Sequence, residues 1–160
     1  MLTIDIGNTR VKWALWERGR ITRSGSTHLS KQEPATAFET WNTLPRQDHV
    51  IAACVAGERV ERALDEWTRS HWSVQTEFLR STAQLNGVRN AYPDPAQYGV
   101  DRWAALLGAH ALYDVPVCII DTGTAITVDL LDAEGIHRGG RILPGLQMMR
   151  EALVRCTDGI

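Results

Sequence analysis

Ile4-Asp5-Ile6-Gly7-Asn8-Thr9 returns later in the chain as Ile120-Asp121-Thr122-Gly123-Thr124-Ala125, and this repetition decides the fold. Laid over each other without a gap, the two stretches keep Asp5 on Asp121 and Gly7 on Gly123. The same alignment carries Leu15 onto Leu131 and the turn glycine Gly19 onto Gly135. Self-similarity of this kind marks an internal duplication.

Working outward from the first copy, residues 2–5 are a short β-prone run that stops at Gly7-Asn8. Residues 11–16 resume β-type alternation, and residues 20–24 add a third strand after the turn at Arg18-Gly19. Pro34 suits a first helical turn, so residues 35–44 are expected to form a short helix. The apolar run 49–55 has the character of a buried strand. Residues 58–71 repeat apolar side chains at Val60, Ala63, Leu64 and Trp67, as an amphipathic helix does. A further strand is expected over 74–79 and a loop over 86–98. A second helix follows, whose apolar stripe is Val100, Trp103, Ala104, Leu107 and Ala111.

The order βββαβαβα then restarts, with strands over 116–120, 125–131 and 136–143 and a helix over 145–155. The expected organisation is a first lobe over residues 1–115 and the start of a second over 116–160. Were the copies equal in length, about seventy residues would be lacking from the second. A half-built second sheet would leave an open edge and an uncovered apolar face. The chain is therefore expected to be part of a longer product, or to pack the helix from Leu146 across a dimer.

Composition sets the outer limits. A chain of 160 residues allows about one domain or two small lobes. With 44% hydrophobic and 22% charged residues it is neither disordered nor fibrous. Seventeen Lys plus Arg against nineteen Asp plus Glu leaves a formal charge of −2 and no dense basic block, so nucleic acid is not an expected partner. The longest apolar runs fall far short of the roughly 18 residues a membrane helix needs, and the N-terminus has no basic leader; a cytoplasmic protein that does not bind membranes is expected. Cys54, Cys118 and Cys156 are read as reduced core residues. The five histidines, at 28, 49, 71, 110 and 137, have no ligand spacing.

Two Asp-x-Gly-(Asn/Thr) turns have a use in holding phosphate. Gly7 and Gly123 would let the backbone turn tightly and present N–H groups inward, while Asn8, Thr9 and Thr124 could donate to phosphate oxygens. Facing loops would clamp a polyphosphate. Asp5 and Asp121 would hold a metal ion or its water shell, and Lys12 would add a point charge. The plainer alternatives are a hairpin turn for Asp-x-Gly and a solvent-facing strand position for Lys12. At Gly99-Val100-Asp101-Arg102, opening the second helix, a carboxylate able to accept a hydroxyl proton stands beside a guanidinium able to grip an anion. Helix capping would equally explain Asp101. Tyr92 could wall the same pocket or simply pack its loop.

These residues stand in a recognisable order: Asp5-Ile6-Gly7-Asn8-Thr9-x-x-Lys12, Asn90-x-Tyr92-x-x-Pro95-x-x-x-Gly99-x-Asp101-Arg102, Asp121-x-Gly123-Thr124-Ala125-x-Thr127-x-Asp129 and Gly139-Gly140-x-Ile142-x-Pro144-Gly145. The set resembles the type III pantothenate kinases, also labelled Bvg accessory factors. The resemblance implies a duplicated actin-like, ribonuclease H-like α/β fold, its second lobe truncated here. It also implies ATP-dependent phosphorylation of pantothenate, the first step of coenzyme A synthesis. It assigns Asp5, Gly7, Asn8, Thr9, Lys12 and Thr124 to ATP and Asp101 to the proton-accepting role. Tyr92, Gly99, Val100, Asp101 and Arg102 would hold pantothenate, Asp121 a monovalent cation (potassium or ammonium), and Asp5 magnesium indirectly. Homodimers are the family's form. Three other readings are compatible: a transcription-related accessory protein of the same family, an inactive truncated kinase fragment, and a sugar or acetate kinase or nucleotide hydrolase on the same duplicated fold.

Overall fold

The computed structural model describes residues 1–157, and its backbone divides into two compact units, Met1–Arg80 and Ser81–Ile160.

In the first unit β1 (Leu2–Ile6), β2 (Arg10–Glu17) and β3 (Arg20–His28) form an antiparallel meander, and β4 (Val50–Cys54) joins β1 in parallel. With the two-residue β5 (Glu77–Phe78), the sheet order is β3-β2-β1-β4-β5. Strand alternation buries Leu2, Ile4 and Ile6 on the core face and turns Thr3 and Asp5 to the other. Each such apolar side chain contributes roughly 1.5–3 kcal/mol on full burial. Helix α1 (Glu58–Trp72) lays Val60, Leu64, Trp67 and Trp72 into this core. Trp67 meets Trp41 and Trp72 edge-on, at ring separations of 5.5 and 4.9 Å.

The helix expected over 35–44 is instead a pair of 3-10 turns, Pro34–Ala37 and Glu39–Thr43. The hydroxyls of Thr36, Thr40 and Thr43 each donate to the carbonyl three residues back, which competes with α-helical bonding and tightens the winding. The strand expected over 74–79 pairs only at Glu77–Phe78.

The second unit opens with a small hairpin, β6 (Gln84–Leu85) and β7 (Val88–Arg89), where a plain loop was expected. Its turn is Asn86-Gly87, both at positive φ (47° and 86°), the geometry that Asn-Gly favours in two-residue hairpins. Helix α2 (Val100–Leu112) then buries Trp103 and Leu106. It packs on a three-stranded antiparallel sheet, β8 (Val117–Thr122), β9 (Ala125–Leu131) and β10 (His137–Pro144), in the order β10-β9-β8. Helix α3 (Leu146–Cys156) follows.

The meander β10-β9-β8 repeats β3-β2-β1, as the duplication requires. The loops are not equal, however. The last pairs are Ile6 with Val11 in one and Thr122 with Ile126 in the other, so the second turn is one residue tighter than a gapless alignment implies. The compact units part after Arg80, and α2 packs on β8 and β9 within the second.

Among the described residues, no strand pairs with the outer edge of β8, the edge equivalent to the one where β1 receives β4. Ile120, Ile142, Leu146 and Leu153 are more than half exposed. This uncovered face also corrects the reading of the cysteines, since Cys54 is buried but Cys118 and Cys156 are exposed.

Candidate active site

In the first unit, the β1–β2 hairpin carries Asp5 on β1, Gly7, Asn8 and Thr9 in its turn and Lys12 on β2. Asp5 and Lys12 are cross-strand partners on the face away from the core, and Lys12 Nζ lies 3.5 Å from Asp5 Oδ2 with both side chains about half exposed. An ion pair this exposed adds little stability, so both groups can be redirected to a ligand at small cost. Asn8 receives a hydrogen bond from Lys31 Nζ at 2.9 Å. Lys31, a cation that reaches this loop from the segment after β3, lies in a polar stretch with no periodicity and gave no sign of itself in the sequence.

Neither turn glycine presents its N–H as expected. Gly7 N donates to the Arg10 carbonyl and Gly123 N to the Ala125 carbonyl, closing their own turns. Neither residue takes a positive φ. The close approach that needs a glycine falls instead at Gly145, where a Cβ would collide with the carbonyls of Gly123 and Thr124. Gly145 N donates to Thr124 O at 3.0 Å, locking the start of α3 onto this second loop. Asp121 stands exposed at the end of β8, opposite Thr127. Its oxygen chemistry suits a hard monovalent cation, as Asp5 suits the water shell of magnesium. Among the described residues no group of three or more His, Cys, Asp or Glu forms a metal cage.

The second unit also holds the Asn90–Arg102 residues. Asn90 Oδ1 accepts the Tyr92 amide at 3.0 Å, an Asx turn that sets the direction of Tyr92 and explains the Asn-x-Tyr spacing. Gly99 is the N-cap of α2, and a Cβ there would strike the Asp101 carboxylate. Asp101 Oδ1 accepts the Arg102 amide at 2.8 Å, so the capping reading describes one of its two oxygens.

Arg102 differs most from expectation. It is 6% exposed and makes a bidentate pair with Asp129, from Nε to Oδ2 at 2.7 Å and from Nη2 to Oδ1 at 2.6 Å. Its guanidinium lies over the Tyr98 ring, 4.7 Å from the centroid. Burial pushes the Arg102 pKa down, but the bonds and charge of Asp129 outweigh it and hold the value above the ordinary guanidinium range. Burial, then the Asp129 charge, push the Tyr98 phenol well above its usual range. His137 completes the group through Nε2, 2.9 Å from Asp129 Oδ1. A Cβ on Gly140 would enter the Arg102–Asp129 pair, which accounts for that glycine of the Gly139-Gly140 motif.

Structure thus brings Tyr92, Gly99, Asp101 and Arg102 into one unit and adds Tyr98, Asp129 and His137, to which no role had been assigned. A carboxylate inside the apolar run 125–131 was the available signal for Asp129. His137, a single histidine without ligand spacing, offered none.

The family model of type III pantothenate kinase matches residues 1–160. A type III pantothenate kinase of Nitrosococcus oceani is 37% identical over 100% of this chain and 62% of its own length. That of Acidovorax ebreus is 39% identical over 99% of this chain and 64% of its own. The chain therefore spans somewhat under two thirds of these relatives. Among solved structures, a Baf family protein from Campylobacter jejuni superposes with a TM-score of 0.60 at 19% identity, over 99% of this chain and 61% of that one. A protein described as a 2-dehydro-3-deoxygalactonokinase from Sinorhizobium meliloti gives 0.58 at 14%, over 99% and 57%. These likenesses show the fold, the actin-like α/β class. By its family model and its similarity to these relatives along its own length, the chain belongs to the type III pantothenate kinase family.

Proposed function

We propose that this protein phosphorylates pantothenate with ATP, giving 4'-phosphopantothenate and ADP, the opening step of coenzyme A synthesis. The observation that carries the reading is the acceptor-side group, in which Asp101 stands beside an Arg102 fixed by Asp129 and stacked on Tyr98. The substrate hydroxyl gives its proton to Asp101 Oδ2, the carboxylate oxygen opposite the one that caps the helix. Its oxygen bonds to the γ-phosphorus as the bond to the β-phosphate oxygen breaks and ADP leaves. Tyr92, Gly99, Val100 and Arg102 hold pantothenate.

On the nucleotide side, Lys12 supplies positive charge to the phosphates, joined by Lys31. Asn8, Thr9 and Thr124 donate hydrogen bonds, and Gly7 keeps its turn tight. Magnesium, reached by Asp5 through water, and potassium or ammonium, held in part by Asp121, would offset phosphate charge. The same reading makes the protein a cytoplasmic homodimer, with the duplication boundary near residue 115, and leaves it without a use for nucleic acid or a membrane. No helix among the described residues is long and apolar enough to cross a bilayer.

The test is direct product detection from the purified chain with pantothenate, ATP and magnesium, in potassium and then in sodium buffer. Phosphopantothenate should form, faster in potassium. Asp101→Asn should keep nucleotide affinity while turnover falls about two to four orders of magnitude, the loss of a positioned base. Folded protein that yields no phosphopantothenate would overturn the proposal. Near-normal turnover in Asp101→Asn would return that residue to helix capping alone.

A further inference from the structure

His137 is almost fully buried, at 2% exposure, and its two ring nitrogens reach in different directions. Nδ1 lies 3.4 Å from the backbone N of Ala91, and a peptide N–H can only donate. Nδ1 therefore accepts and carries no proton. The ring proton is on Nε2, which donates to Asp129 Oδ1 at 2.9 Å. His137 in this tautomer is a neutral connector: the Ala91 amide donates to it, it donates to Asp129, and Asp129 receives Arg102 through two further bonds.

The rings around it continue the connection. Tyr92 lies nearly parallel to the imidazole at 6.3 Å with an interplanar angle of 8°, and Tyr98 packs on it at 4.9 Å. Tyr92 and Tyr98 are themselves 5.0 Å apart. One buried side chain thus joins the Asn90–Tyr92 turn, through Ala91, to the first turn of α2, where Asp101 and Arg102 stand. Besides it, these two segments are related by the loop residues 93–99, which are mostly at the surface, by the Tyr92–Tyr98 ring contact and by a side-chain hydrogen bond between Tyr92 and Arg102.

We infer that His137 is a positioning residue for the pantothenate side of the site, acting through Asp129 and Ala91 to hold Arg102 and Tyr92 in one fixed relation. The inference rests on the acceptor-site reading above. It gives a reason for the buried histidine at position 137 and for the charge of Asp129 inside an apolar strand. Geometry of reacting groups is sensitive to such support, because small displacements of a substrate-holding side chain weaken binding and misalign the transferred atom.

The experiment compares the wild-type chain with His137→Phe and His137→Gln, titrating each with pantothenate and, separately, with a non-hydrolysable ATP analogue. Near-UV circular dichroism is recorded on each to establish that it is folded. Phenylalanine keeps the ring volume and the stacking but neither hydrogen bond, and pantothenate affinity should fall about tenfold, as expected for losing bonds in a buried network. Affinity for the nucleotide analogue should stay within about twofold. Glutamine, whose amide can donate to Asp129, should restore most of the pantothenate affinity.

A folded His137→Phe that binds pantothenate as wild type does would overturn the inference. So would an equal loss for both ligands, which is the signature of a purely structural role. If the phenylalanine variant does not fold, His137→Asn carries the same comparison, since its shorter side chain cannot reach Asp129. Wild-type chain that fails to bind pantothenate would refute the acceptor-site reading itself. That failure appears before any variant is made, so the two are told apart.

Discussion

Replacing Asp129 with asparagine removes one negative charge and changes almost no volume. Asp129 accepts three hydrogen bonds, two from Arg102 at 2.7 and 2.6 Å and one from His137 at 2.9 Å. The Arg102 and Asp129 side chains are only 6% and 3% exposed, so water cannot replace what is lost. An asparagine presents one acceptor where the carboxylate presents two, and its amide hydrogens face the donors of Arg102. The guanidinium is then a buried cation without a counter-charge, a situation that costs about 3–5 kcal/mol when one partner of a buried pair is removed. At about 1.4 kcal/mol per tenfold, amide exchange in α2 should accelerate by at least about a hundredfold, or α2 should lose its protection altogether.

Hydrogen exchange resolved to the segment from Trp103 to Leu106 is the suitable assay. Because the chain divides into two compact units, a melting temperature would mix their responses, and five of the six tryptophans lie in the first unit. Replacing both partners by apolar residues, Arg102→Met with Asp129→Leu, should lose less protection than Asp129→Asn alone, since no unpaired charge remains. Acceleration below about fivefold in Asp129→Asn would refute the reasoning, because it would mean the guanidinium finds water or another anion with little movement.

Further outcomes follow in the first unit and at the cysteines. Burial pushes the Asp65 carboxyl up, but hydrogen bonds from Arg69 Nε and the Thr76 amide outweigh it and hold its pKa below the ordinary 3.8. A depressed carboxylate adds stability above its unfolded pKa and loses that contribution as pH falls through the folded value. Asp65→Asn should therefore be less stable than wild type at neutral pH, and denaturant titrations should show the gap closing only below about pH 4; a gap independent of pH would remove the charge from the explanation. Burial likewise raises the Cys54 thiol. Maleimide labelling followed by peptide mass spectrometry should find Cys118 and Cys156 modified quickly in the folded chain and Cys54 only after unfolding; rapid labelling at Cys54 would contradict its burial.

Much of the architecture was legible because it is local. Alternation in residues 2–16 and the helical periodicity of 58–71 report which face of each element is buried, and the repeated Asp-x-Gly turns report the duplication. Where short-range competition decides, legibility fails. Threonine hydroxyls wound residues 34–43 into 3-10 turns, and the Asn86-Gly87 hairpin was hidden in a stretch whose prolines and glycines look like plain loop. The glycine roles moved for a similar reason: sequence shows that a glycine is present, but only a neighbouring backbone shows which atom its hydrogen makes room for, as at Gly140 and Gly145.

By itself the sequence determined the order of the main strands and helices, the doubled meander and the identity of the chemical groups at Asp5, Lys12, Asp101 and Arg102, since these depend on neighbours a few residues away. Tertiary structure alone decided what those groups touch. Arg102 and Asp129 are separated by 27 residues, and His137 and Ala91 by 46, yet packing of α2 on β9 places them in one buried network. Charge and hydrogen-bond partners across such separations depend on how the elements pack, which no local pattern of residues encodes.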